Sequence, residues 1–174
     1  LKFLLQKLKQ KIPTECLQIR DKQMYKYKGR ISNTRWYIKD YLDKEEIKGI
    51  NFDDGSSSFL KKVILESSLF IVLINSTTHL ETLRGNYPTL IHFAYDNRMY
   101  SPQALKFINK LKKAKIYHDN LTSLTNHATK IWPNVNKWWF SSSVQTAVED
   151  YCNNFARPTE NKVFKLKKII KKYI

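Results

Sequence analysis

The chain contains an uninterrupted apolar run of strand length, Leu69–Ile74. A strand without polar alternation is covered on both faces, as in the centre of a parallel sheet. Three further segments are predicted to be strands: Cys16–Arg20, Ile47–Phe52 and Thr89–Phe93. Because helical patterns separate these strands, with short connections, the sequence predicts an α/β fold, a Rossmann-like parallel sheet flanked by helices.

Apolar residues at helical spacing predict the helices that flank this sheet. The predicted helices are residues 1–12, Arg35–Leu42, Thr78–Arg84, Gln103–Ala114, Leu121–Trp132, Asn136–Phe140 and Val144–Phe155. A further helix, capped by Ser56 to Ser58, is predicted to run to about Ser67. A length of 174 residues suits one lobe, assigned here to residues 1–157, followed by a basic tail, residues 158–174. The amphipathic start without an initiator Met predicts that the chain is the carboxyl-terminal part of a longer protein.

The charge balance is strongly basic, with 31 Lys and Arg against 15 Asp and Glu, a net charge of +16. Such an excess favours polyanionic partners: nucleic acid, an anionic membrane or phosphorylated substrates. Two cysteines without metal-type spacing predict neither a disulfide framework nor a zinc site, which favours a reducing, cytoplasmic setting.

A cluster of small polar residues follows the apolar run: Asn75, Ser76, Thr77 and Thr78. Ligands of open parallel sheets bind beyond the carboxyl ends of the strands, and helix N-termini suit phosphate. The hydroxyl groups are therefore predicted to contact a phosphate, with Glu81 accepting hydrogen bonds from a ribose diol. Alternatively, Thr78 and Glu81 fit a capping box that only satisfies the helix terminus. Both interpretations are compatible with one structure.

Several short elements form a pattern along the sequence: Asp53-Asp54-Gly55, Asn75–Thr78 with Glu81–Leu83, Pro88-Thr89, His118-Asp119, Ile131-Trp132 and Trp138-Trp139, with Gly29 and Arg35-Trp36 upstream. Together they resemble a family of transferases from bacterial surface-carbohydrate loci, those for lipopolysaccharide and capsule. The carboxyl-terminal half of that family is similar to the donor-binding lobe of GT-B glycosyltransferases. The resemblance implies that the Thr77/Thr78 turn holds the phosphate of a sugar-nucleotide donor and that Glu81 binds its ribose or sugar.

The resemblance also implies a separate amino-terminal lobe for the acceptor and no permanently bound cofactor. The sequence departs from the family at three places: Arg30 replaces a Trp, His79 occupies a large apolar position, and Arg98–Ser101 replaces an acidic-Leu-Arg segment. If the last segment contacts substrate, this chain has altered specificity or is an inactive lobe.

Other residues suit phosphate binding or proton transfer. Arg20, Arg35 and Arg98 can clamp phosphate, although each also suits a solvated surface. His118 beside Asp119 can act in proton transfer, or can be a structural His next to a loop-capping Asp. No histidine pair has metal-ligand spacing, which predicts no protein-held metal.

Aromatic and basic residues near the end of the chain allow two further interpretations. Trp132, Trp138, Trp139 and Phe140 suit helix packing better than a stacking platform for nucleic acid, and no specific nucleic acid is predicted. The tail Asn161–Ile174 reads as a cationic amphipathic helix. Such a helix lies on the inner face of the cell membrane or packs on its own protein.

The sequence thus predicts a glycosyltransferase-like chain for surface polysaccharide, supplying the donor-binding lobe. The alternatives are a non-catalytic basic module that binds an anionic membrane or nucleic acid, and a degenerate lobe.

Overall fold

Four strands form two parallel pairs in the computed structural model, which describes residues 1–20, 42–53, 63–94, 100–157 and 170. β1 (Gln18–Arg20) pairs with β2 (Asn51–Asp53), and β3 (Phe70–Val72) pairs with β4 (Thr89–Ile91). The predicted α/β class is confirmed. The described strands form two small parallel sheets, however, where the sequence predicts one Rossmann-like sheet.

The helices account for most of the regular structure. They are α1 (Lys2–Lys9), α2 (Lys44–Ile47), α3 (Thr78–Arg84), α4 (Pro102–Lys113), α5 (Leu121–Ile131), α6 (Val135–Trp139) and α7 (Ser142–Phe155). Residues 63–66 are also helical, and short 3₁₀ turns occupy Thr14–Cys16 and Trp132–Asn134. Two predicted helices lie outside the described residues almost entirely. Only Leu42 of the predicted helix Arg35–Leu42 and Ile170 of the predicted tail helix are described.

The β3–β4 pair is covered by helices on both faces, as its apolar sequence predicts. On one face, Val72 and Ile91 pack in a cluster with Leu83 of α3 and Leu111 of α4. On the other face, Leu90 packs with three sets of apolar residues: Leu4 and Leu8 of α1, Leu124 and Ala128 of α5, and Val135 of α6. Burial from both sides explains why this strand pair needs no polar alternation.

β3 is shorter than the apolar run that encodes it. The ladder ends at Val72, and Ile74 is 68% exposed. The chain therefore leaves the sheet before the apolar run is complete, which brings the following polar turn to the surface.

The segment before β2 is a helix and not the predicted start of a strand. α2 begins with a capping box in which Asp43 and Glu46 satisfy each other's backbone N–H groups. Gly49 follows with φ +78°, and a Cβ there would lie 2.6 Å from Oγ1 of Thr14. This glycine turn moves the start of the strand to Asn51.

The aromatic residues near the carboxyl end pack against the domain, as predicted. Trp139 is fully buried, and Trp138 donates a hydrogen bond from Nε1 to the carbonyl oxygen of Ala114. Phe140, in contrast, is 59% exposed. α7 lies against α4, where Lys110 and Asp150 form an ion pair of 2.5 Å and Phe107 and Phe155 make an edge-to-face contact. In the part of the chain that is described, no helix has the length and apolar content needed to cross a membrane.

Candidate functional site

Three chain segments leave the β3–β4 sheet at one edge. Val72 is paired with Ile91, and Ile91 forms a parallel bridge with Tyr117. The backbone N–H of His92 donates to the carbonyl oxygen of Val72 at 3.0 Å, and that of His118 donates to Ile91 at 2.8 Å. Because all three segments run parallel, residues 73–77, 92–94 and 118–120 follow at the same carboxyl edge. This is the edge at which α/β proteins bind ligands.

The hydroxyl-rich turn lies open at this edge. Asn75, Ser76 and Thr77 are exposed, and Thr78 is half-buried. α3 begins at Thr78 with Thr77 as its N-cap, and the Thr77 side chain forms no capping hydrogen bond. The predicted capping box of Thr78 with Glu81 is therefore wrong. The cap lies one residue earlier, and the residue three positions after Thr77 is Leu80, which cannot return a hydrogen bond.

The absence of a capping bond at α3 leaves the hydroxyl group of Thr77 available to a ligand. Glu81 is exposed in the first turn of the same helix. α3 has only seven residues, so its dipole is small, and any anion binding at this turn depends on its hydroxyl and amide groups.

His118 is held by hydrogen bonds at both ring nitrogens and is 2% exposed. Nε2–H donates to the carbonyl oxygen of Lys115, so the neutral ring accepts at Nδ1 from the hydroxyl of Ser123, each at 2.9 Å. Burial lowers the pKa of His118, and the Lys115 carbonyl opposes that effect. Asp119 pairs with Lys112 at 2.6 Å. This arrangement favours the structural interpretation of His118, since no ring nitrogen is free for proton transfer.

A family model described as LIC12162 family transferase matches residues 5–170, almost the whole chain. The chain belongs to the LIC12162 family of transferases. No curated protein and no solved structure matches it. Membership agrees with the transferase class that the sequence predicts.

His79, a departure from the expected pattern, lies beneath the turn of this LIC12162 family transferase. It is 5% exposed, contacts the hydroxyl of Tyr151 through Nε2 at 3.3 Å, and packs edge-to-face on Phe93. Burial lowers the pKa of His79, and a hydrogen bond with the backbone carbonyl of Ser76 opposes this effect. A neutral imidazole therefore takes the place of an apolar side chain and holds α3 against α7.

His92 is the edge residue that sequence reasoning missed. Its Nδ1 lies 3.0 Å from the carbonyl oxygen of His118. No sequence motif marks it, because its partner comes from a segment 26 residues later in the chain. Its position directly after the buried strand β4 was the available signal.

Among the predicted arginine ligands, Arg20 alone belongs to the described residues. Arg20 ends β1, which belongs to the other strand pair, and Arg35 and Arg98 lie outside the described residues. Within the described ranges, no group of three or more His, Cys, Asp or Glu residues has a metal-binding arrangement.

Proposed function

We propose that this LIC12162 family transferase is glycosyltransferase-like and that the chain supplies its sugar-nucleotide donor-binding lobe. The observation that carries the proposal is the exposed Asn75–Thr77 turn at the carboxyl edge of a sheet buried on both faces. A ligand at that edge would meet the hydroxyl group of Thr77, which takes no part in helix capping.

The turn provides the chemistry that a nucleotide phosphate needs. Hydroxyl groups of Ser76, Thr77 and Thr78 can donate to phosphate oxygens together with backbone N–H groups of the turn. Glu81 lies on the next helical turn, where its carboxylate can accept hydrogen bonds from the ribose diol or the sugar. We assign to Arg20 or Arg35 the role of offsetting phosphate charge.

We further propose that an acceptor lobe precedes this chain in a longer protein. The acceptor would belong to bacterial surface polysaccharide, lipopolysaccharide or capsule. The basic segment Asn161–Ile174 would place the enzyme on the inner face of the membrane, where lipid-linked acceptors are found. The donor would be the sole nucleotide ligand, and the mechanism would need no protein-held metal.

Thermal-shift measurements with a panel of nucleotides and sugar nucleotides test the proposal. A donor pocket should select one base and keep that preference in high salt, because hydrogen bonds define it. A general polyanion-binding module should instead bind DNA, heparin and every nucleotide, and should lose all of them as salt rises. The second result would contradict the proposal.

A further inference from the structure

The imidazole of His92 is oriented by the backbone of the neighbouring segment. A carbonyl oxygen can only accept a hydrogen bond, so the contact with the His118 carbonyl places the ring hydrogen of His92 on Nδ1. In the uncharged ring, Nε2 then has a lone pair. Because Nδ1 carries the hydrogen, Nε2 of the neutral ring can accept a hydrogen bond or a proton.

The Nε2 atom of His92 is unoccupied and reachable. It makes no hydrogen bond within the described residues, and the ring is half-buried. Among the described residues, the buried side-chain nitrogens without a partner are Nδ1 of His79 and Nε2 of His127. Nε2 of His92 is not one of these buried atoms.

The carbonyl group that orients His92 is itself rigidly held. His118 is bonded through both ring nitrogens to Lys115 and Ser123, and its backbone N–H is bonded to Ile91. Asp119, the next residue, is paired with Lys112 and not with either histidine. His92 is thus oriented by a backbone carbonyl group, and the residue follows β4 at the sheet edge that also carries the Asn75–Thr77 turn.

We infer that His92 is the proton acceptor of this edge and that its Nε2 receives the proton of the acceptor hydroxyl group. The inference rests on the proposed function. As the hydroxyl proton moves to Nε2, its oxygen forms a bond to the anomeric carbon of the donor sugar. The bond from that carbon to the phosphate oxygen breaks, and its electron pair leaves on the nucleotide. The resulting imidazolium keeps its Nδ1–H on the His118 carbonyl, and this hydrogen bond strengthens with the charge.

Carbethoxylation with diethyl pyrocarbonate, followed by peptide mass spectrometry on the full chain, tests the geometry. The reagent attacks an unprotonated, accessible ring nitrogen. His92 should therefore react at least about tenfold faster than His118 and His127, which react only after local opening. Equal rates for His92 and His118 would overturn the inference. The His92→Asn variant is the matched control, because its amide can keep the bond to the His118 carbonyl while lacking Nε2.

Protection by ligand separates this inference from the proposed function. The probes are uridine, guanosine and cytidine diphosphates and their sugar esters, with binding measured by thermal shift. The expected result is that the probe that binds also slows carbethoxylation of His92. A probe that binds and leaves the His92 rate unchanged would overturn the inference alone, whereas failure of every probe to bind would overturn the proposed function.

Discussion

The indole Nε1–H of Trp139 donates to two oxygens of Asn86, the backbone carbonyl and the side-chain Oδ1, each at 3.0 Å. Asn86 lies in the turn between α3 and β4 and has φ +57°, in the left-handed region that Asn tolerates better than most residues. Gln145 of α7 donates to the same Oδ1 at 3.2 Å. These contacts fix the β3–α3–β4 unit, which carries the hydroxyl-rich turn, to the helices at the carboxyl end.

Replacing Trp139 by Phe should destabilise the fold strongly. The variant loses both hydrogen bonds and leaves space in a fully buried site, so the free energy of unfolding should fall by about 2–3 kcal/mol. Trp138→Phe is the matched control: its indole is half-buried and makes one longer bond of 3.2 Å, so about 1 kcal/mol should be lost. Urea unfolding measures both values, and equal losses would contradict the anchoring role of Trp139.

His127 should make the protein sensitive to acid. Burial lowers its pKa to about 4, and the charges of His118, Lys115 and Lys130 act in the same direction. Between pH 6.5, the ordinary pKa of histidine, and about pH 4, the unfolded chain binds more protons at His127 than the folded chain does. Stability should therefore be complete above pH 6.5 and decline as the pH falls toward 4.

Thermal unfolding across that pH range tests the effect of His127. Since the ring is partly solvent-screened, we expect a decrease in Tm of roughly 2–6 °C. His127→Gln removes the titrating group and should flatten the curve, leaving the smaller slopes due to buried His79 and His118. Identical slopes in wild type and variant would exclude His127 as a source of the acid sensitivity.

The contact between α4 and α7 should depend on its apolar core and not on its surface ion pair. Leu111 is fully buried, and Leu111→Ala should cost about 2–5 kcal/mol. Lys110 and Asp150 are 51% and 39% exposed, so Asp150→Asn should cost less than about 1 kcal/mol. Urea unfolding in low and high salt checks both. A larger loss for Asp150→Asn, independent of salt, would contradict this ranking.

Hydrophobic periodicity was sufficient to predict several elements nearly to the residue. α3 was predicted at Thr78–Arg84 and is found there. α5 was predicted to end at Trp132, and it ends at Ile131 because Pro133 lacks the backbone N–H that would continue the helix. Local sequence decides such cases, since the relevant neighbours are within one turn.

Features that depend on distant partners were not predictable in this way. The separation of β1–β2 from β3–β4 is a matter of strand pairing, which local patterns do not specify. The N-cap of α3 is Thr77, one residue before the predicted Thr78. The sequence does not distinguish them, because both residues are threonines with equal capping ability. The orientation of His92 depends on the bridge between Ile91 and Tyr117, two residues far apart in the chain.

Calorimetric titration tests most directly whether the Asn75–Thr77 turn and Glu81 bind the donor. The ligand is the sugar nucleotide that the thermal-shift panel selects, and it is titrated into the full-length protein. Thr77→Val and Glu81→Ala change exposed side chains of the proposed site. Thr146→Val and Glu149→Ala make the same changes on the exposed surface of α7. Each site variant should weaken binding by about tenfold, the loss of one hydrogen-bonding group, while Tm stays unchanged. The two control variants should bind like wild type. Unchanged affinity in the Thr77→Val/Glu81→Ala double variant would contradict the account.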